Sequence, residues 1–422
     1  MQIAPDAPPR ASVWIYASVI FGAALGMLAG YAPLFNATAG VFARPLAAEF
    51  GWGRSQASLS YAASMFGLAI ISPLVGAMMD RFGIRRVIAC SAVVFGLATA
   101  AMALQNGSML PWVALSVVIG VSGAATSVLG YLAVLPQWFD RRLGLALGIA
   151  MCGLGAGTVI LPMVAQSLVT AFGWRVAYAG MGFGSIALSL LACALLRERI
   201  RAGSGRRQAG SAAAGVPLAT ALRSYRLWAI WLVFVLSSAA TLSLGPHLPS
   251  LFADRGFDAA MAARSASMVG IGLLIGRLST GLLIDRIHAP LVASVFFVGG
   301  CVGVFLLRGA HDYTTLLVAA TLIGLTIGAE GDLISYLVRS YFGLTSFGTL
   351  FGIAFSGYGL GAVIGPIGLG AWFDRHGSYD LPLLVLPCML LVAAGLVLSL
   401  GRYRVASHEG AAATAAPAQG SA

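Results

Sequence analysis

The chain has 422 residues, of which 59% are hydrophobic and only 9% are charged, and its mean hydropathy is +0.91. Soluble domains carry roughly 25% charged residues, so the composition excludes an ordinary soluble protein. The net charge of +11 reflects 25 arginines and no lysine. Basic loops of a membrane protein explain this charge better than nucleic-acid binding does.

Apolar runs of about 20 residues follow one another along almost the whole chain, and each is long enough to cross a bilayer as a helix. The runs lack the alternation of apolar and polar residues that marks the strands of a membrane barrel. We therefore predict an all-α integral membrane protein with twelve transmembrane helices. The predicted helices cover residues 13–42, 56–79, 86–106, 110–136, 143–170, 175–196, 226–251, 260–284, 288–308, 314–338, 345–371 and 381–401.

A polar break after predicted helix 6 divides the chain into two six-helix bundles. We predict an N-terminal bundle over residues 1–196 and a C-terminal bundle over residues 226–405. Residues 197–225 carry arginines among glycine, serine and alanine, which is typical of a basic, flexible cytoplasmic linker. Residues 406–422 are rich in alanine and glycine and are predicted to be a disordered tail.

The arginines are distributed unevenly between the two sides of the predicted membrane protein. Seventeen lie in one set of loops, the linker and the termini, whereas seven lie in the opposite loops. We call the arginine-rich side the basic face. Because arginine marks cytoplasmic loops, we predict that the basic face and both termini are cytoplasmic. The five cysteines lie inside apolar runs without metal-ligand spacing, so we expect them to pack and expect no metal or cofactor.

A short polar string after predicted helix 2, residues 76–86, reads Gly-x-x-x-Asp-Arg-x-Gly-x-Arg-Arg. Its first part recurs at residues 281–286, after predicted helix 8, without the downstream glycine and arginines. Two related strings half a chain apart indicate a duplicated protein, and the incomplete second copy predicts two unequal gates. A further similar string at residues 370–377 falls on the opposite face by this topology.

The two six-helix halves, the basic linker and the string after helix 2 resemble the major facilitator superfamily. The resemblance implies a charge-and-hydrogen-bond latch that holds the two halves in the outward-open state. It implies that Asp80 ends its helix, that Arg81 and Arg85 are bridge donors, and that Gly76 and Gly83 are close-packing and turn residues. The partial second copy of this latch consists of Gly281, Asp285 and Arg286.

A second string leads into predicted helix 5 and resembles a signature of monocarboxylate transporters and their bacterial oxalate/formate-like relatives. Its matching residues are Phe139, Arg141, Arg142, Gly148 and Gly153. The arginines would anchor the helix end at lipid headgroups, and the small residues permit close helix packing. Helix 1 lacks the acidic residue and the lysine usual in that branch, which argues against lysine-based proton symport.

Arg277 is an ionisable residue inside predicted helix 8, where charge is costly and marks function by default. The resemblance implies that an arginine at this Arg-x-x-x-Gly position binds the carboxylate of the substrate. A guanidinium suits this role because its fork can bind a carboxylate bidentately. The alternative is a structural arginine that snorkels or pairs with an acid.

Two carboxyl groups, Glu330 and Asp332, lie in predicted helix 10. Residues two apart point to different faces of a helix, so the two need not share a partner. We predict that they serve proton coupling or charge pairing, with one of them as the counter-charge of Arg277. The alternative is that they brace the cytoplasmic side of the second half.

Neutral and weakly basic residues supply the other candidate substrate contacts. His247 lies between prolines near the outer end of predicted helix 7, and broken helices line transport cavities. In the first half the candidates are Tyr31, Asn36 and Tyr131. Each of them has packing, with its polar tip hydrogen-bonded, as the alternative role.

These features predict a secondary transporter that moves small organic anions, mono- or dicarboxylates, by alternating access. Its expected partners are the anion, protons or a counter-anion, and the lipid bilayer, with no nucleic acid. We expect a functional monomer in the cytoplasmic (inner) membrane of a bacterium. The alternatives are a proton-driven exporter of drugs or other amphipathic compounds and a non-transporting membrane sensor. An enzyme is disfavoured because the sequence shows no nucleophile constellation, metal cluster or phosphate-binding loop.

Overall fold

The computed structural model describes residues 13–52, 54–139, 142–199, 215–244, 247–248, 251, 259–309 and 312–403. Within these residues the secondary structure is helical, without a strand, so the predicted all-α class is confirmed. The predicted tail and residues 200–214 of the predicted linker lie outside the described residues, as does Arg141.

Twelve helices, α1 to α12, form the two bundles in the described part of the chain. Helix α1 has three segments, Val13–Leu28, the π-helical Ala32–Asn36 and Ala39–Phe50, and α4 has two, Met109–Gly123 and Val128–Leu132. Helices α5 and α6 form one run, Leu143–Leu195, broken only at Gly173. The others are α2 Arg54–Phe82, α3 Ile84–Ala101, α7 Tyr225–Leu242, α8 Ala259–Ile284, α9 Ala289–Gly309, α10 Tyr313–Phe342, α11 Phe347–His376 and α12 Pro382–Leu398. Short turns cover Met102–Leu104, Leu135–Gln137 and Leu218–Leu222.

The lengths and compositions of these helices fit a membrane protein. Ten described segments are long and apolar enough to span a bilayer. One of the ten is the run Leu143–Leu195, which supplies two spans because Gly173 has φ 80° and ψ 165°, outside the helical region. The remaining span, α12, is a shorter apolar helix. The predicted number of spans is therefore confirmed.

Two helices predicted as continuous are interrupted near the middle of the protein. Helix α1 unwinds around Tyr31, and α4 unwinds between Gly123 and Val128. The breaks face each other, because the Tyr31 N–H donates to the Thr126 carbonyl oxygen at 3.2 Å. A Cβ on Gly30 would collide with the same carbonyl oxygen. Irregular backbone at membrane depth is tolerated where protein or a cavity surrounds it, so the breaks mark the interior of the protein.

On the face opposite the basic face, the end of α1 is joined to the start of α6. The Arg175 guanidinium forms an ion pair with Glu49 at 2.7 Å, and the Trp174 indole N–H donates to the other carboxylate oxygen at 2.6 Å. Arg175 also lies over the Trp174 ring, 4.2 Å from its centroid. The hydrogen bond from Arg175 has the largest effect and that from Trp174 the next largest, and together they hold the pKa of Glu49 below its ordinary value.

We expect acid to weaken this clamp. A carboxyl group with a lowered folded-state pKa contributes stability above its ordinary value, 4.5, and loses that contribution as the pH falls through the lowered pKa. The fall in melting temperature between neutral and acidic pH should therefore be smaller in Glu49→Gln than in the unchanged protein. Because the Glu49 side chain is 39% exposed, solvent screening keeps the difference small. An equal fall in both proteins would contradict this expectation.

Candidate functional site

A cavity of ≈ 120 Å³ lies between the two halves, beside the breaks in α1 and α4. The first half supplies walls from α1, α2, α4 and α5, and the second half supplies walls from α8, α10 and α11. Most described residues that line it are apolar. The polar lining residues are Tyr31, Thr126, Ser127, Arg277 and Tyr358. The cavity therefore combines an apolar surface with one cationic side chain.

Arg277 crosses from α8 toward the first half. Its side chain lines the cavity although the residue is only 6% exposed, and its Nη1 donates to the Met151 carbonyl oxygen of α5 at 3.0 Å. Its Nε is buried and has no hydrogen-bonding partner among the described residues. A buried guanidinium with a free donor beside a cavity is able to bind an anionic group there.

The carboxyl groups of Glu330 and Asp332 are fully buried on α10 and face different helices. Glu330 accepts a hydrogen bond from the Thr241 hydroxyl of α7 at 3.1 Å, while its second oxygen has no partner. Asp332 interacts electrostatically with Arg277, but the described residues include no ion pair between them, and neither Asp332 oxygen has a hydrogen-bonding partner. Neither carboxyl lines the cavity.

The three neutral candidates of the first half are in different surroundings. The Tyr31 ring lines the cavity, and its hydroxyl donates to the Ser64 hydroxyl oxygen at 2.8 Å. Asn36 and Tyr131 are outside the cavity lining. Tyr131 is fully buried because its ring packs where a Cβ on Gly26 would otherwise lie. Of these three, only Tyr31 is placed for contact with a ligand in the cavity.

His247 is also away from the cavity. Its ring nitrogens lie 3.3 Å from the Pro366 carbonyl oxygen and 3.3 Å from the Tyr379 hydroxyl. The histidine packs against α11 and the segment before α12, so the structure does not bring it to the cavity. The prolines that predicted a broken helix here, at positions 246 and 249, lie outside the described residues.

The sequence prediction missed four cavity contributors. Thr126 and Ser127 lie in the α4 break, Tyr358 lies on the glycine-rich α11, and Met151 supplies the carbonyl oxygen that holds Arg277. The run of small and polar residues around Thr126 was a usable signal for the break. A backbone carbonyl carries no sequence signal, so the Met151 contact was not predictable.

On the basic face, two aspartates bind helix N-termini of the opposite half. Asp80, in the last turn of α2, accepts hydrogen bonds from the N–H groups of Gly348 at 2.9 Å and Thr349 at 2.8 Å, which begin α11. Asp285, just after α8, accepts from the N–H groups of Gly144 at 2.7 Å and Leu145 at 3.0 Å, which begin α5. The first-turn N–H groups of a helix lack partners within it and favour negative charge. The two strings therefore make similar contacts, although the second copy is incomplete in sequence and Asp80 also accepts from the Thr349 hydroxyl at 2.6 Å.

The arginines of the first string make different contacts from those expected of bridge donors. Arg85 donates through its side-chain Nε to the Cys193 carbonyl oxygen at 2.9 Å. Its backbone N–H donates to the Glu198 carboxylate at 2.6 Å. Cys193 lies in the last turn of α6, where the last carbonyls need donors, and Glu198 follows that helix by three residues. Arg81 lies over the neighbouring Phe82 ring at 5.1 Å. The described hydrogen bonds between the halves at these strings thus come from the aspartates, and Arg286 is exposed.

The glycines of both strings and of the helix 5 signature allow close backbone contact. A Cβ on Gly76 would collide with the Gly348 carbonyl oxygen, and a Cβ on Gly148 would lie 3.3 Å from the Arg277 carbonyl oxygen. A Cβ on Gly153 would collide with α1 of its own half. Gly83 has φ 93°, which permits the turn between α2 and α3. Phe139 packs edge-on against Tyr16 at 5.3 Å, and Arg142 immediately precedes α5.

Gly281→Ala is expected to open the basic face. A Cβ there would lie 2.6 Å from the Gly144 carbonyl oxygen, so α5 and α8 must separate, at a cost of about 1–3 kcal/mol to the closed arrangement. Gly270→Ala, on the same helix, is the control because its Cβ would meet nothing within 4 Å. Spin-label distances between the basic-face ends of α5 and α8 measure the effect. Identical distance distributions for the two variants would refute it.

Comparisons with known proteins agree with this architecture. A family model described as the Major Facilitator Superfamily matches residues 31–366. The uncharacterized transporter YhjX of Escherichia coli K12 is 24% identical over 76% of this chain and 80% of its own. Monocarboxylate transporter 11 of Mus musculus is 27% identical over 79% of this chain and 75% of its own. The probable sulfoacetate transporter SauU of Cupriavidus necator is 26% identical over 82% of this chain and 85% of its own.

Solved structures show the same fold at low sequence identity. The E. coli fucose:proton symporter FucP superposes with a TM-score of 0.71 at 15% identity and covers 93% of this chain and 100% of its own. The proton:xylose symporter XylE superposes with a TM-score of 0.72 at 14% identity and covers 91% and 95%. This likeness concerns the arrangement of helices.

Proposed function

The chain belongs to the Major Facilitator Superfamily and is a membrane transporter, not an enzyme, and from this premise we propose that it moves small organic anions by alternating access. Arg277 serves as the carboxylate anchor in this proposal. The observation that carries it is the buried guanidinium with a free Nε beside a cavity between the halves. Substrate sites at such an interface are the rule for transporters built from repeats.

The lining of the cavity favours one carboxyl group attached to a small apolar body. Arg277 is the one charged side chain among the described lining residues, so a second carboxylate would be buried without a cation, at high cost. An engineered cavity of about 150 Å³ holds benzene, so ≈ 120 Å³ suits a short-chain acid. Relatives named for monocarboxylates and for sulfoacetate support an anionic substrate.

The contacts of Asp80 and Asp285 serve as two latches that close the basic face, which we place at the cytoplasm. The conformation described here then corresponds to the outward-facing state, and release of both latches accompanies opening to the cytoplasm. Glu330, buried behind Thr241, is our candidate for proton coupling. We place the protein as a monomer in the bacterial inner membrane, with both termini cytoplasmic.

A ligand panel on the purified protein tests the substrate class. Short monocarboxylates should raise the melting temperature because a ligand that binds the folded state stabilises it. Dicarboxylates, neutral amides of the same acids and amphipathic cations should have smaller effects. The acid that stabilises most should then enter proteoliposomes. Stabilisation by amphipathic cations alone would replace the proposal with a drug exporter, and binding without uptake would indicate a sensor.

A further inference from the structure

Four buried oxygen atoms between α8 and α10 have no hydrogen-bonding partner in the described part of the chain. They are both carboxylate oxygens of Asp332 and the hydroxyl oxygens of Ser335 and Thr280. All three residues are 0% exposed, and none of them lines the cavity beside Arg277. Buried polar atoms normally have a hydrogen-bonding partner, so four partnerless oxygens in adjoining helices point to a ligand that they would bind together.

The packing of α8 against α10 brings these atoms to one level. A Cβ on Gly276 would collide with the Leu325 carbonyl oxygen, and a Cβ on Gly328 would lie 3.0 Å from the backbone nitrogen of Arg277. The same register, continued by one helical turn toward the basic face, places Thr280 opposite Asp332. Ser335 follows Asp332 by three residues and therefore shares its face of α10.

The two hydroxyl groups differ from other hydroxyls of the same helices. Serine and threonine inside a helix commonly donate to a carbonyl oxygen one turn earlier. Ser279 does so to Ile275 at 2.6 Å, and Thr321 does so to Leu317 at 2.8 Å. Thr280 and Ser335 make no such bond. Their oxygen lone pairs are therefore available to a ligand.

The chemistry of the group matches a small monovalent cation. Carboxylate and hydroxyl oxygens are hard ligands, which suit hard cations rather than transition metals. The group contains one carboxylate, so a single positive charge balances it, whereas a divalent ion would leave excess charge. Arg277 does not supply the positive charge that binds these four oxygens, since its Nη1 donates to the Met151 carbonyl oxygen. A proton would serve only one of the four oxygens, and a bound water would not balance the charge of Asp332.

We propose that Asp332, Ser335 and Thr280 form a Na⁺ site between α8 and α10, next to the anion anchor. The consequence for transport rests on the proposed function. Arg277 partly balances the charge of Asp332 in the empty protein, and a carboxylate bound to Arg277 removes that balance. Na⁺ restores it, so Na⁺ and the anion strengthen each other's binding by an equal factor.

Thermal unfolding of the full-length protein, without any organic anion, tests the site itself. Choline chloride is replaced by NaCl or KCl at constant ionic strength. Na⁺ should raise the melting temperature by ~2 °C relative to choline, and K⁺ by less. Asp332→Asn and Thr280→Val should abolish the rise, and the valine keeps the shape of the threonine. Ser279→Ala should retain it, because Ser279 is only half-buried and its hydroxyl already donates to the Ile275 carbonyl oxygen.

Repeating the titration with the most stabilising carboxylate tests the coupling. The apparent Kd for the acid should be about tenfold lower in Na⁺ than in choline. Equal melting temperatures in all three salts, with and without the acid, would overturn the Na⁺ site, as would a Na⁺ response that survives in Thr280→Val. Stabilisation by the acid in choline would in that case leave the proposed function intact. A Na⁺ response without any carboxylate effect would refute the proposed function and leave the site standing. Should Asp332→Asn fail to fold, Thr280→Val and Ser335→Ala decide the question.

Discussion

Arg277→Ala is expected to lower the affinity for a short monocarboxylate by roughly 30-fold or more, because removal of one partner of a buried, hydrogen-bonded charge pair costs about 2–5 kcal/mol. Arg277→Lys should retain part of the affinity, since it keeps the charge but loses the planar fork. The measurement is uptake into proteoliposomes at increasing concentrations of labelled acid. Arg223→Ala, at an exposed arginine of the basic face, is the control and should transport normally.

A second readout separates anion binding from a purely structural role for Arg277. The unchanged protein should bind an acid far more tightly than the neutral amide of the same acid. Arg277→Ala should lose this discrimination, because the amide never depended on the guanidinium. If Arg277→Ala folds and weakens both ligands equally, the arginine is structural and its assignment as anchor is wrong. Uptake that is unchanged in Arg277→Ala would have the same meaning.

Asp80→Asn and Asp285→Asn are expected to shift the protein toward opening at the basic face. Each substitution keeps the shape of the side chain but removes the charge that two N–H groups at a helix start bind. A helix cap and its charge contribute about 1 kcal/mol, so each change should raise the open population roughly fivefold. The two latches share no residue, so the double variant should show an increase of about 30-fold.

Spin-label distances across the basic face give these populations directly. Asp374→Asn is the matched control, since Asp374 lies in a similar Asp-Arg string at the end of α11 and is exposed. If only Asp80→Asn changes the population, the two latches are unequal, as the incomplete second string predicted. No change in the double variant would remove the latch role from both aspartates.

The sequence predicted the fold well because the length and apolarity of each run determine whether it can span a bilayer. The same reasoning missed the breaks in α1 and α4. Apolarity reports burial in lipid or protein, but it does not report which backbone groups bond outside their own helix, such as Tyr31 to Thr126. The similarity of the two aspartate contacts was missed for a related reason. The partners that the two aspartates have in common are backbone N–H groups, which leave no signal in the sequence.

The candidate site was predictable where a charged side chain stands in an apolar run. Arg277, Glu330 and Asp332 were identified in this way, and the structure places all three in the buried interior of the second half. Neutral residues carry no comparable signal, because a tyrosine in an apolar run looks the same in the sequence whether its ring packs against a helix or faces a cavity. Tyr31 and Tyr131 illustrate this, since only Tyr31 lines the cavity.

The run Leu143–Leu195 has a mechanical consequence for transport. Its two helices meet at Gly173 without a loop, and the next residues, Trp174 and Arg175, are tied to Glu49. Because no flexible loop joins the C-terminal end of α5 to α6, α5 cannot slide along its own axis independently of α6. Displacement of its start, where Gly144 meets Asp285, must become a tilt of the pair about the far end. We therefore expect the pair α5 and α6 to pivot at Gly173 once release of the Asp285 contact frees the start of α5.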